Sequence, residues 1–166
     1  MSMADLRAML TKIGFASVQT LLQSGNLVFQ SDGRDGGELE RLLEVESRKR
    51  LHVETNFFIR TVQEWDRIVR RNPFLKEARA DPGHLVLVVL KDAPGAKELQ
   101  ALQEAIVGPE CVRGDGRQLY ITYPDGQGRS RLTNALIEKK IGTRGTARNW
   151  KTVLKLAALV KGKARE

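Results

Sequence analysis

The stretch "LVLVVL", Leu85–Leu90, places six apolar residues in a row with no polar position between them. A strand with one wet face alternates apolar and polar residues, so an unbroken run of this length reads as a strand buried on both faces. Such a strand belongs in the middle of a sheet. Moving toward the C-terminus, Pro94-Gly95 punctuates the chain, and Leu99, Leu102 and Ile106 recur at helical spacing until Gly108-Pro109 stops them. "CVRGDGRQLYITY" (111–123) then reads as two short strands around Gly114-Asp115-Gly116, a hairpin. A helix is predicted from about Ser130 to Ile141, with Leu132, Ala135 and Leu136 toward the core. The loop "GTRGTARN" (142–149) leads to a last helix carrying Trp150, Val153, Leu154 and Ala157 on one face.

Moving toward the N-terminus, the same kinds of element appear. Ser2 caps a helix through Met3, Leu6, Leu10 and Ile13, with Asp5 three residues after the cap and Gly14 closing it. Val18–Leu22 and Leu27–Gln30 are β-rich runs around Ser24-Gly25-Asn26, a second hairpin signal. Leu39, Leu42 and Leu43 mark a helix to about Arg50, and "HVETNFFIR" (52–60) is predicted as a strand. Thr61 and Glu64 form a capping-box pattern for a further helix through Val62, Trp65, Ile68 and Val69, ended by Asn72-Pro73.

Each half therefore fits a ferredoxin-like βαββαβ unit, and the expected class is α+β: two such subdomains, residues 1–75 and 83–166, plus a C-terminal helix. The first unit lacks its opening strand, and the second has no clear closing strand. An opening strand is central in this topology, so without it two rows of backbone groups face each other unpaired. Three solutions are open: a segment preceding Met1, a strand donated by another molecule, as in a homodimer through that edge, or a rearranged sheet.

Composition narrows the functional classes. With 41% apolar and 29% charged residues the chain reads as an ordinary globular protein, and no signal-peptide pattern or membrane-length apolar run is present, so a cytoplasmic protein without membrane contact is expected. One cysteine, Cys111, and two histidines, His52 and His84, nearly exclude a Cys/His zinc site; no metal and no cofactor is expected. The histidines and Cys111 sit without a catalytic motif around them and read as structural positions. The net charge of +8 is segregated: residues 129–166 hold 11 of the 28 Lys and Arg residues but 2 of the 20 acids. A basic segment of that kind attracts nucleic acid or another polyanion, or is simply a solvated face.

The residues for such binding lie in "YPDGQGRSRLTNAL" (123–136) and "RGTARNW" (144–150). Gly126 and Gly128, followed by Arg129, Ser130 and Arg131, can present amides and two guanidiniums to a phosphate if they open a helix. The spacing is neither a Walker A loop nor a dinucleotide fingerprint, and the same residues suit a plain turn with Ser130 as N-cap. Arg148, Asn149, Trp150 and Lys151 extend the set: a basic ridge with an aromatic for base stacking, or the start of a helix whose Trp faces the core. Gln23, Ser24 and Asn26 in "QSGN" form a second candidate patch or an ordinary hairpin turn. The leading expectation is nucleic-acid or polyanion binding by the basic C-terminal third; the alternative is an enzyme or sensor for a small phosphorylated ligand at the Gly126–Arg131 turn.

Four strings jointly carry a resemblance: "MADLRAML" (3–10) with Gly14-Phe15, "LQSGNLVF" (22–29), "YPDGQGRSRLTNAL" (123–136) and "TARNWKTVLKLAAL" (146–159). Together they resemble the bacterial family catalogued as domain of unknown function 1697. The resemblance implies two α+β subdomains related to the ferredoxin-like fold and no established reaction. It also implies a strand and glycine-rich turn ahead of the first helix, which this sequence does not show, so a late start or truncation is expected.

Overall fold

The structure, a computed structural model, describes residues 2–21, 25–31 and 33–164. The chain has an α+β fold that divides into two compact units, residues 1–62 with 158–166, and residues 63–157.

Unit 1 is built from local signals. Helix α1 (Met3–Ile13) opens with a capping box: Ser2 Oγ accepts from the Asp5 N–H at 3.0 Å, and Asp5 Oδ2 accepts from the Ser2 N–H at 3.4 Å. Strands β1 (Ala16–Leu21) and β2 (Asn26–Gln30) pair antiparallel with an irregularity between Ala16 and Gln19. Helix α2 (Gly36–Leu51) is capped by Asp35, whose Oδ1 accepts from the Glu38 N–H at 2.8 Å. Leu6, Met9 and Leu10 of α1 and Leu39 and Leu43 of α2 pack with Phe15 and Val18 into one apolar core.

The stretch 52–60, expected as a strand, belongs to neither sheet. Phe57 and Ile59 still rest against the unit 1 core. β-propensity of this kind needs a neighbouring strand to become a ladder. Unit 1 has β1 and β2 as its sheet, and no central strand among the described residues stands beside this stretch.

Unit 2 is a four-stranded antiparallel sheet of β3 (Leu85–Leu90), β4 (Cys111–Asp115), β5 (Gln118–Thr122) and β6 (Gly145–Asn149) in the order β4-β5-β3-β6. With α5 (Ala96–Glu104) and α6 (Asn134–Ile141) the element order is βαββαβ, and the strand order is compatible with the ferredoxin-like arrangement. Every residue of β3 is buried. Val86, Val88 and Leu90 face one core with Leu102, Val112, Leu119, Ile121, Ile137 and Ile141. On the opposite face Tyr120 donates its hydroxyl to the Ile68 carbonyl of α3 (Val62–Arg70) at 2.7 Å and packs on Trp150 of α7 (Trp150–Ala164), ring centroids 6.2 Å apart. Trp65 of α3 donates Nε1–H to the Val153 carbonyl at 3.1 Å. A short helix, α4 (Leu75–Ala80), which the residue pattern does not announce, leads to a 3-10 turn at Pro82–His84.

Two expectations are corrected in unit 2. Residues 145–149, read as loop, form β6, the closing strand thought unclear: Val86 pairs with Asn149 and Leu90 with Gly145. The open edge of β3 recruits a stretch with little β-propensity of its own, because unpaired buried backbone is costly. Gly145 permits the approach, since a Cβ there would stand 2.9 Å from Leu90 Cδ2 and Val88 Cγ1. Helix α6 begins at Asn134 rather than near Ser130, and its cap is Thr133, whose hydroxyl accepts from the Leu136 N–H at 3.2 Å. Ala135 is exposed, and Ile137 and Ile141 take the core side.

Candidate functional site

The register of the unit 2 sheet gathers several chain segments at one end. Leu85 and Cys111 both pair with Thr122, and Val86 pairs with Asn149. The start of β3, the start of β4, the end of β5 and the end of β6 therefore lie together. The Tyr123–Leu132 loop, the Pro82–His84 turn, Glu110 and Lys151 all emerge there.

The loop is held by hydrogen bonds along its length. The Tyr123 N–H donates to the His84 carbonyl at 2.8 Å, and the Gly126 N–H turns back onto the Tyr123 carbonyl at 2.9 Å. Gly126 has φ +88°, the left-handed region that glycine enters without strain. Gln127–Arg129 make one 3-10 turn, closed by the Ser130 N–H on the Gln127 carbonyl at 3.2 Å. The Ser130 hydroxyl accepts from the Leu132 N–H at 3.0 Å and donates to Glu110 Oε1 at 2.5 Å. Underneath, the buried Tyr123 hydroxyl donates to the Leu132 carbonyl at 2.9 Å, so the loop's two ends are tied to each other. Burial first, and then the Glu110 charge, push the Tyr123 phenol up to about 12.

These bonds remove the helix-start version of the anion cradle. Ser130 is not an N-cap, the Gly126–Arg131 segment ends before α6 begins, and the amides of Gly126 and Ser130 are already spent on carbonyls. What remains outward is charge. Arg129, Arg131 and Lys151 are exposed and have no acid partner among the described residues. Lys151 closes on the same end of the sheet, because a Cβ on Gly83 would lie 3.8 Å from its Nζ.

The other expected site residues sit differently. Trp150 is 3% exposed and packed on Tyr120, so it belongs to the core and has no face free for a base. Asn149 caps α7, its Oδ1 accepting from the Thr152 N–H at 3.1 Å. Arg148 is half-buried and donates to Thr146 Oγ1 and to the Ala147 carbonyl, both at 2.8 Å; desolvation lowers its pKa from the usual guanidinium value. In the second patch, Gln23 and Ser24 lie outside the described residues. Asn26 is buried in β2 and donates Nδ2–H to the Leu21 carbonyl at 3.4 Å, as a hairpin residue does.

The register adds a pair that residue order alone gave no reason to join to the loop. His84 Nδ1 lies 2.8 Å from Asp81 Oδ2, and a Cβ on Gly126 would stand 3.8 Å from His84 Nε2. The only sequence signal is an Asp and a His three apart, which occurs too often to select a site.

Comparison with known proteins gives family and fold. A family model described as "Protein of unknown function (DUF1697)" matches residues 1–120. Of the four strings that carried the resemblance, the first two lie within that stretch and the last two beyond it. A conserved bacterial protein from Streptococcus pneumoniae has a similar structure, with a TM-score of 0.72 and 18% identity over 95% of this chain and 88% of that one. No curated protein matches the chain. Among the described residues, no helix is long and apolar enough to cross a membrane.

Proposed function

The chain belongs to the DUF1697 family, whose description names no reaction, and from its own residues we propose that it binds a polyanion, single-stranded nucleic acid being the fitting class. The contacts are Arg129 and Arg131 on the loop and Lys151 at the start of α7. The observation that carries the reading is that these three cations are exposed, lack acid partners among the described residues, and emerge at one end of the unit 2 sheet. Cations held by a braced loop neutralise backbone phosphates and release counterions, which supplies affinity without base readout. With Trp150 in the core, base stacking has no part in this, and the expected binding is indifferent to sequence.

A small phosphorylated ligand seated in the Gly126–Arg131 turn has less support. Such a site relies on free amides at a helix start, and here two of the loop's amides are engaged and the helix begins later. The test is fluorescence anisotropy of a labelled oligothymidine across a salt series. Binding that weakens log-linearly with salt supports the proposal, and absence of binding at low salt overturns it. A melting temperature that climbs with the logarithm of a nucleotide or sugar phosphate concentration, without oligonucleotide binding, would favour the small ligand instead.

A further inference from the structure

The three cations leave His84 unused, although it stands beside them. Its Nδ1 is paired with Asp81 Oδ2 at 2.8 Å, and the two side chains are 46% and 55% exposed. The opposite nitrogen, Nε2, looks onto the Gly126 turn and has no hydrogen-bond partner among the described residues. On the other flank of the Pro82–His84 turn, Lys151 reaches to Gly83. His84 thus stands beside the Gly126 turn of the loop, and its neighbour Gly83 beside Lys151.

Asp81 decides what Nε2 can do. When the ring is neutral, the carboxylate accepts from Nδ1–H, so the remaining nitrogen carries a lone pair and repels an anion oxygen. When the ring is protonated, Nδ1–H stays on Asp81 and Nε2–H becomes a charged donor toward the loop. We infer that His84, oriented by Asp81, is a fourth contact of this site, donating Nε2–H to a non-bridging oxygen of a phosphodiester only in its protonated state. The inference rests on the polyanion reading above and adds to it a proton taken up on binding. The charged groups on the elements packed around His84 are Asp81 beside it, Lys76, Glu77 and Arg79 of α4, Asp125, Arg129 and Arg131 of the loop, Arg148 of β6 and Lys151 in the first turn of α7. The bound phosphodiester brings one more negative charge to Nε2.

The experiment is oligothymidine anisotropy at constant low salt, because neither thymine nor a phosphodiester titrates in mildly acidic buffer. Going from about pH 8 to about pH 5.5, the wild-type protein should bind roughly tenfold more tightly, the scale of one charge-assisted hydrogen bond. His84→Ala and His84→Gln should both lose that gain; because the side chain is half exposed, their melting temperatures should stay near wild type, and Gln serves if Ala misfolds. Asp81→Asn should behave differently, since releasing the tautomer lets neutral His84 donate from Nε2. That variant should respond less to acid than wild type; the loss of a carboxylate beside a polyanion would by itself tighten binding alike at both pH values, so the reduced pH response is the signature that a structural Asp–His pair would not give. Should the His84 variants tighten with acid as the wild type does, or should Asp81→Asn keep the full response, the inference is overturned. Salt-dependent binding with no pH response overturns this inference alone, whereas no binding at either pH overturns the polyanion reading with it.

Discussion

The protein has two tyrosines, Tyr120 and Tyr123, and both are 1% exposed. Burial raises both phenols above the ordinary value of 10.0, with Asp115 adding to the effect at Tyr120 and Glu110 at Tyr123. For Tyr123 the folded value is about 12, so the neutral form is favoured by roughly 3 kcal/mol. The raised value belongs to the folded state, so this stabilisation is complete below pH 10.0 and is lost as the pH climbs toward about 12. At about pH 10.5 an unfolded chain should show roughly three quarters of its tyrosine ionised, and the folded chain only a few per cent. The assay is tyrosinate absorbance in the near ultraviolet, read beside far-ultraviolet circular dichroism so that only folded protein is scored. Denaturant at the same pH supplies the unfolded reference. Tyr123→Phe should cost about 1 kcal/mol at neutral pH through the lost bond to the Leu132 carbonyl, and should blunt the alkaline loss. About three quarters of an equivalent of tyrosinate at about pH 10.5 in the wild-type chain with native dichroism, absent from Tyr123→Phe, would refute the buried, bonded placement of Tyr123 and with it the bracing of the loop.

Neutralising the three outward cations as Arg129→Gln, Arg131→Gln and Lys151→Gln should flatten the log–log salt slope for oligothymidine by about 2, since each single-strand phosphate contact contributes roughly 0.7; a triple variant with the wild-type slope would place the contacts elsewhere. Gly114→Val should destabilise unit 2 by about 1–3 kcal/mol, because a Cβ there would stand 2.9 Å from both methyls of Leu99; urea titration followed by Trp fluorescence reads it. Trp65→Phe removes the Nε1 bond to the Val153 carbonyl and should cost about 1–2 kcal/mol in a urea titration followed by circular dichroism, with an unchanged midpoint speaking against that bond. Thr133→Ala should cost about 1 kcal/mol as the loss of the α6 cap, whereas Ser130→Ala should disturb the Glu110 contact and leave α6 capped.

Elements whose cause lies within a few residues were legible in the chain. The Ser2 and Asp5 capping box, the two hairpins and the buried strand Leu85–Leu90 all appear where the residue pattern puts them. The helix at Trp65 and Ile68 does too, since its apolar spacing is its own. Strand β6 and the stretch 52–60 were misread in opposite directions for one reason. Gly145–Asn149 has poor strand residues but a free edge of β3 beside it, whereas "NFFIR" has good strand residues and joins neither sheet. Within the site, the Gly126 turn and the exposed Arg129, Arg131 and Lys151 followed from composition and turn chemistry. The half-burial of Arg148, the packing of Trp150 on Tyr120 and the approach of His84 to the loop depend on strand register, which joins residues far apart in the chain.

By itself, then, the order of residues determined the α+β class, the capped start of the first helix and the crowding of positive charge after Asp125, because helix caps, apolar periods and net charge are properties of neighbours along the chain. The tertiary structure alone decided which of those charges stay outside and what stands beside them, because a side chain's exposure and its partners are set by the elements folded over it.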